Sequence, residues 1–225
     1  MADTVAKPSR LTRWALPVLL LVGAASFAAA LVLPLPWKKQ QSPPADAWEV
    51  TPFALTERSG KPVSNADLAG KVWVASFVFT RCTGPCPSVT ATMARLQADL
   101  DLANQPDLRL VTFTVDPGRD TPDELKKYAD HFRAHPDRWL FLTGQEDEIH
   151  RLARTGFKLG VSRSAAPNPP AGQEFDHSTM LVVVDRRGKV RGHFDGYQGP
   201  NDADGQKFAD SYARLKEAVA ALLRE

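Results

Sequence analysis

The hydrophobic and polar positions of the chain first predict a set of strands. Residues 71–79, KVWVASFVF, are almost all apolar, β-branched or aromatic, which is typical of a strand buried on both faces. The same composition predicts strands at 108–116 and 139–142. A further strand is expected over 180–184, and the following DRRGK, residues 185–189, predicts a hairpin turn with its glycine in the left-handed conformation.

Helical spacing of apolar residues fills the intervals between these strands. After Cys86, apolar residues fall at 89, 93, 96 and 100, and Pro87 suits a first helical turn. Thr121-Pro122-Asp123-Glu124 has the form of a capping box that opens a second helix, with Leu125, Tyr128 and Phe132 on its inner face. Residues 146–155 predict a third helix. The last helix places these apolar side chains on one face: Phe208, Tyr212, Leu215, Val219 and Leu222.

The order of elements, β-α-β-α-β-α-β-β-α, predicts the fold class. It indicates an α/β domain with a mixed, mostly parallel central sheet covered by helices on both sides. One long interval remains, residues 160–174, which is rich in proline, glycine and serine and is interpreted as a loop. Loops of this length in compact domains are often functional, and this one leads directly into the sequence FDHSTM.

The N-terminal region has a different pattern. Residues 14–33 contain no ionisable side chain over 20 positions, and as a helix they would span about 30 Å, the thickness of a bilayer core. The expected organisation is a short cytoplasmic N-terminus at 1–13, a transmembrane anchor at 14–33, a Pro-rich linker at 34–47 and a globular domain at 48–225. A signal peptide cleaved at AAA, residues 28–30, is the alternative.

Charge supports export of the globular part. The formal net charge is +2, yet residues 1–40 carry five basic side chains against Asp3, so the rest holds 23 of the 28 basic and 25 of the 26 acidic ones. No basic surface is left to favour nucleic acid. The basic residues before the apolar run favour a cytoplasmic N-terminus. The expected location is therefore the bacterial inner membrane, in contact with lipid, as a single-pass protein whose C-terminal domain lies in the periplasm or another extracytoplasmic space.

The chain has two cysteines, Cys82 and Cys86, in the sequence FTRCTGPCPSV. A disulfide between them would close a very short loop and remove little entropy from the unfolded chain, so reactivity explains the pair better than stapling. Cys82 follows a predicted buried strand and Cys86 begins the next helix, where free N–H groups and the helix dipole favour a thiolate. Both sulfurs can therefore face one point, either bonded to each other or around an ion.

A third donor is needed for a divalent transition metal, and His177 is the candidate. It ends the long loop and precedes the strand at 180–184, so it also lies at a sheet end. Two sulfurs and one imidazole suit copper in both oxidation states. Zinc would accept the same ligands with water in the fourth position.

Three segments together resemble the Sco (SenC) family of copper proteins: FVFTRCTGPCPSV, FTVDPGRDTPDELKKYA and DHSTMLVVVD, which follow a single membrane anchor. The resemblance runs from about Val50 to the C-terminus. It implies a three-layer, thioredoxin-like domain that holds one copper ion through Cys82, Cys86 and His177. It also implies a role in maturing the dinuclear copper site of cytochrome c oxidase subunit II, with a copper donor chaperone and a thiol reductase as further partners.

Two carboxylates are candidates for a supporting role around these ligands. Asp176 is suited to accept a hydrogen bond from His177, although it also fits a solvated loop residue. Asp116 matches a motif of the resembled family at another sheet end, near Asp120. For Asp116 and Asp120, a turn and a helix-capping function is the alternative interpretation.

Three functions compete for the cysteine pair. The first is a copper metallochaperone. The second is a thiol–disulfide oxidoreductase in which Cys82 attacks a partner disulfide and Cys86 resolves the mixed disulfide. The third is a thiol peroxidase, for which Arg81 is adjacent to Cys82, but the shielding proline usual upstream of the cysteine is absent and the second cysteine has no assigned role. His177 separates the first two, because tight binding of Cu(II) requires it and disulfide exchange does not.

Overall fold

A computed structural model of the protein describes residues 48–225, which lie within one compact unit. The predicted anchor at 14–33 and the linker at 34–47 lie outside the described residues. Within 48–225, no helix is long and apolar enough to span a bilayer.

Nine strands and four α-helices make up the domain. The strands are β1 (Ala54–Glu57), β2 (Pro62–Ser64), β3 (Val72–Val78), β4 (Leu108–Thr114), β5 (Trp139–Thr143), β6 (Val161–Arg163), β7 (Phe175–His177), β8 (Met180–Val184) and β9 (Val190–Asp195). The helices are α1 (Cys86–Asp99), α2 (Pro122–His131), α3 (Glu146–Arg151) and α4 (Gln206–Leu223). A π-helical turn, Leu152–Gly156, continues α3, and two short 3-10 turns lie at Asn65–Leu68 and Leu102–Asn104. Every strand and helix expected from the sequence is present.

Seven of the strands form one sheet in the order β2-β1-β5-β4-β3-β8-β9. Strands β3, β4 and β5 pair in parallel at its centre, and all other neighbours pair antiparallel. The sheet is mixed, as expected, but the expectation of a mostly parallel sheet is wrong for its strand pairs, because parallel pairing is confined to the centre. The physical reason is connection length: the hairpins β1–β2 and β8–β9 have tight turns, which permit only antiparallel pairing, whereas helices α1 and α2 supply the long crossovers that parallel strands need.

The central strands hold an aromatic cluster beneath the site. The ring of Phe77 on β3 stacks on Phe113 of β4 with 4.9 Å between centroids, and Phe157 packs edge-on against Phe77 at 5.2 Å. All three side chains are buried. Burial of such a side chain contributes about 1.5–3 kcal/mol to stability. The ends of β3 and β4 are therefore held on a rigid base.

The long loop at 160–174 is the main local difference from the sequence interpretation. Its first residues form β6, which pairs antiparallel with β7 so that Val161 lies opposite His177 and Arg163 opposite Phe175. The three-residue strands are too short for their alternation to be read from sequence. The remaining loop is thus closed at its base by a small two-stranded sheet, and His177 belongs to that sheet.

Candidate metal centre

The two cysteines occupy the connection between β3 and α1. Cys82 lies in the turn that follows the strand, where its N–H donates to the carbonyl of Phe79 at 3.2 Å. Gly84 N–H points back to the Cys82 sulfur, with 3.4 Å between N and Sγ. Cys86 is the first residue of α1 and is 0 % exposed, whereas Cys82 is half-buried. Both cysteines are free thiols in the structure, one accessible and one enclosed.

His177 reaches the same point from the other side of the sheet end. Strand β8 runs antiparallel to β3, so the segment that precedes β8 lies beside the residues that follow β3. The Nε2 atom of His177 is 3.0 Å from the Cys86 sulfur, and its Nδ1 atom is 3.0 Å from the carbonyl oxygen of Ser178. Because a carbonyl can only accept a hydrogen bond, Nδ1 carries the proton and the lone pair of Nε2 is directed at the sulfur.

The three donor atoms form one cluster. The two sulfurs and a ring nitrogen of His177 all lie within 4.8 Å of one another. Two soft sulfur ligands with one imidazole match the ligand preference of copper and are also accepted by zinc. The residues expected from the sequence to converge are therefore brought together, and their arrangement can hold a metal ion. Their assignment as ligands stays a prediction.

The electrostatics of the two thiols differ. The pKa of Cys82 is lowered to about 4, chiefly because the Cys86 thiol donates a hydrogen bond to its sulfur, with further stabilisation of the thiolate from the backbone N–H groups of Cys86 and Gly84. The pKa of Cys86 is raised by that same hydrogen bond and by burial. In the metal-free protein the pair thus shares one proton, which lies on the enclosed sulfur and leaves the accessible one as a thiolate.

Aromatic and polar residues complete the surroundings. Phe79 presents an edge to His177 at 5.8 Å and to Phe175 at 5.6 Å, and His150 packs edge-on against Phe175 at 5.8 Å. On the helix side, the Thr90 hydroxyl donates to the Cys86 carbonyl. These contacts fix the imidazole and the enclosed cysteine against the core.

The predicted supporting carboxylates are placed differently from each other. Asp176 is exposed, and the hydrogen bond to His177 Nδ1 that was expected from it is provided by the Ser178 carbonyl. Asp116 is buried and its carboxylate lies 3.4 Å from the Arg119 guanidinium. Asp120 is also buried and accepts hydrogen bonds from the Thr80 and Thr114 side chains, so it braces the strand end that precedes Cys82. The role of Asp116 and Asp176 beside a metal ion stays a prediction.

Several residues that support the site had no distinct sequence signal. His150 has no recognisable partner in the sequence. In the structure it is buried, and its side chain is held by a contact of 2.9 Å between Nε2 and the Val115 carbonyl oxygen. Glu174, Gly172 and Arg119 form hydrogen bonds that join the loop before β7 to the cysteine turn. The only sequence signal for these loop contacts was the length and glycine content of residues 160–174.

Fold and site together define a class: a thioredoxin-like α/β domain with two cysteines at the mouth of a helix and a distal histidine beside them. The SCO1/SenC family model matches residues 41–209. The chain belongs to this SCO1/SenC family.

Individual relatives agree with this assignment. The SCO1 protein homolog of Bacillus subtilis is 38% identical over 152 residues, which cover 67% of this chain and 76% of that protein. Among solved structures, BsSco, a member of the Sco family of cytochrome c oxidase assembly proteins in which a disulfide switch was identified, has 32% identity and a TM-score of 0.64 over 81% of this chain and 98% of its own. Yeast Sco1 with copper bound has 25% identity and a TM-score of 0.57 over 76% of this chain and 88% of its own.

Proposed function

We propose that this protein is a copper metallochaperone that carries one copper ion on Cys82, Cys86 and His177. The observation that carries the proposal is the convergence of the three donor atoms within 4.8 Å of one another, across 91 residues of sequence between Cys86 and His177. Yeast Sco1, a relative with the same fold, has been solved with copper bound. Two thiolates suffice for monovalent copper, and the imidazole adds the donor that the divalent ion requires.

The difference in exposure between the ligands suits transfer by ligand exchange. Cys86 is enclosed, whereas Cys82 and His177 are partly exposed, which leaves one side of the site accessible. An acceptor's own sulfur or imidazole can therefore approach the ion from that side and displace the accessible ligands first. Because soft ligands exchange stepwise, the ion never needs to be released to water.

The proposed recipient is the dinuclear copper site of cytochrome c oxidase subunit II. BsSco belongs to a family of cytochrome c oxidase assembly proteins, and this chain shares its fold at 32% identity. Copper loading requires reduced thiols, so the proposal includes a thiol reductase as a partner. A copper donor chaperone is the other proposed partner. The proposed layout places an anchor at 14–33 in the inner membrane, a linker at 34–47 and the copper-binding domain at 48–225 in the periplasm.

A second candidate function is thiol–disulfide exchange, which the unequal cysteines favour. The Cys82 thiolate would attack a partner disulfide and displace one of its sulfurs as a thiolate. Cys86 would then give up its proton and attack Cys82 in the mixed disulfide, which releases the second partner sulfur. The partner ends as a dithiol and this protein as a disulfide. Reduction of the acceptor's cysteines by this route would prepare them for metal.

The metal content and optical spectrum of the purified protein after loading with Cu(II) test the copper proposal. Wild type is compared with Cys82→Ser, Cys86→Ser and His177→Ala, and with His131→Ala as a matched control because His131 is exposed on α2. We expect one copper ion per chain and a strong sulfur-to-copper charge-transfer band that is lost in each ligand variant and kept in the control. Wild-type protein that retains no copper would leave disulfide exchange as the function.

A further inference from the structure

The loop that precedes β7 is fastened to the cysteine turn through one carboxylate. Glu174 accepts a hydrogen bond from the Gly172 N–H at one oxygen, with an N···O distance of 2.7 Å, and from the Arg119 guanidinium at the other, at 2.9 Å. The Gly172 carbonyl in turn accepts the Thr83 N–H at 3.2 Å. Arg119, Glu174, Gly172 and Thr83 are called the clip below.

The backbone at Gly172 fits this contact only as glycine. Its φ is +84°, and a Cβ atom there would lie 2.6 Å from the Arg81 carbonyl oxygen and 2.6 Å from the Thr83 methyl group. The two loops therefore touch backbone to backbone. Such an approach excludes side chains and leaves the Thr83 hydrogen bond as the direct link between them.

The clip joins the two segments that bear the proposed ligands. Thr83 directly follows Cys82, and Glu174 lies three residues before His177 on the chain that enters β7. The Glu174 side chain is only 13 % exposed, and both of its hydrogen bonds involve a charged acceptor, which makes them stronger than neutral ones. Its pKa is lowered by its own backbone N–H, by the Gly172 N–H and by Arg119, so it is a carboxylate at neutral pH.

The clip is also linked to the central sheet through Arg119. Arg119 follows β4, and its guanidinium lies 3.4 Å from the buried carboxylate of Asp116 as well as 2.9 Å from Glu174. The arginine therefore connects the carboxyl end of β4 to the loop of His177. Three separate stretches of chain, after β3, after β4 and before β7, are joined by the clip.

We propose that Glu174 is a positioning residue that holds the Cys82 turn and the His177 strand at the separation copper requires, with Arg119 as its counter-ion. This inference rests on the proposed copper function. Glu174 itself touches none of the three ligand side chains. It acts on the Cys82 turn through Gly172 and Thr83. It acts on His177 through the backbone that leads from Glu174 into β7.

The test compares Glu174→Ala, Glu174→Gln, Arg119→Ala and Arg119→Lys in the full-length protein, with Glu124→Gln as a control for loss of an exposed ion pair on α2. Three quantities are measured: amide hydrogen exchange at Thr83 in the metal-free protein, the Cu(II) dissociation constant, and the imidazole-nitrogen signal in electron paramagnetic resonance. We expect Glu174→Ala to raise both the exchange rate and the dissociation constant about tenfold and to weaken the nitrogen signal. Glu174→Gln and Arg119→Ala should have smaller effects, because each leaves one hydrogen bond of the clip in place.

The conservative variant separates positioning from general stability. Arg119→Lys keeps a cation beside Glu174 and should restore exchange and copper binding to within about twofold of wild type. Unchanged Thr83 exchange in Glu174→Ala would overturn the clip. Faster exchange with an unchanged dissociation constant and nitrogen signal would overturn its role in the copper site. If wild type bound no copper, the proposed function would fail on its own, whereas the exchange measurement would still decide whether Glu174 joins the two segments.

Discussion

The two halves of the candidate metal centre are built by different means. The cysteine half spans five residues between β3 and α1, and its geometry is set by the strand end, the helix start and backbone hydrogen bonds such as Gly84 N–H to the Cys82 sulfur. The histidine half lies 91 residues further on, at the end of a loop closed by the short β6–β7 hairpin. The pairing of β8 with β3 brings it beside Cys86, and the loop is hydrogen-bonded to the Cys82 turn.

Because the two halves are built differently, we expect them to contribute differently to copper binding. A dithiol placed by adjacent elements is present whenever the core is folded, so binding of a monovalent ion needs little else. An imidazole placed by a hairpin and a clip depends on a few individual hydrogen bonds, each worth about 1–3 kcal/mol. If copper binds as proposed, we therefore expect the histidine half to set the preference between the two copper oxidation states.

The largest expected effect comes from removing a ligand of each half in turn. Cys86→Ser should weaken binding of both Cu(I) and Cu(II) on the order of a thousandfold, because one of three ligands is lost from the enclosed side. His177→Ala should weaken Cu(II) by a similar factor but Cu(I) by only about tenfold, because two thiolates satisfy the monovalent ion. Competition titrations with chelators of known affinity measure both. Equal losses for the two oxidation states in His177→Ala would contradict the division of roles.

A second, smaller effect concerns the cysteine half alone. Because the pKa of Cys82 is lowered to about 4, its thiolate is already present at neutral pH. The rate of alkylation by iodoacetamide in metal-free protein should therefore stay constant from about pH 6 to pH 8 and fall as the pH approaches 4. Cys86→Ala removes the main hydrogen bond to the sulfur, so the pKa should rise and the rate at pH 6 should drop by at least about tenfold.

Mass spectrometry of the alkylated cysteine and its rate at each pH provide the measurement. Cys82→Ser serves as the control: the remaining Cys86 is buried and should react slowly at every pH tested. A Cys82 rate that rises tenfold per pH unit from pH 6 to pH 8 in wild type would show an ordinary thiol and contradict the shared proton.

The sequence predicted the cysteine half well because its signals are local. A continuous apolar run predicts β3, helical spacing predicts α1, and the two cysteines stand at the boundary between them. The position of His177 at a sheet end also followed from the strand after it. Their convergence could be expected because neighbouring strands bring such ends together.

The parts that sequence reasoning missed are those made by short or irregular segments. The strands of the β1–β2 and β6–β7 hairpins have only three or four residues, too few for a period to appear. The clip joins an exposed-looking arginine, a loop glycine and a glutamate that have no periodic relation to one another. Only the fold brings Arg119 and Glu174, 55 residues apart, to within 2.9 Å.

The smallest expected effect on copper affinity comes from replacing a glycine of the clip. It is judged against a second glycine that has a similar backbone conformation. Gly172 has φ +84° and backbone atoms of Arg81 and Thr83 within 3 Å of a substituent, whereas Gly188 in the β8–β9 turn has φ +75° and open space around it. Gly188→Ala should lower the free energy of unfolding by about 1 kcal/mol, the cost of a left-handed alanine. Gly172→Ala should cost about 2–3 kcal/mol, because the loop must also move away from the cysteine turn. Urea denaturation measures both values, and Cu(II) titration should show a several-fold weaker affinity for Gly172→Ala alone. Equal affinities in the two variants would mean that the contact between the loops does not reach the metal centre, and the histidine half would then be held by the β6–β7 hairpin without the clip.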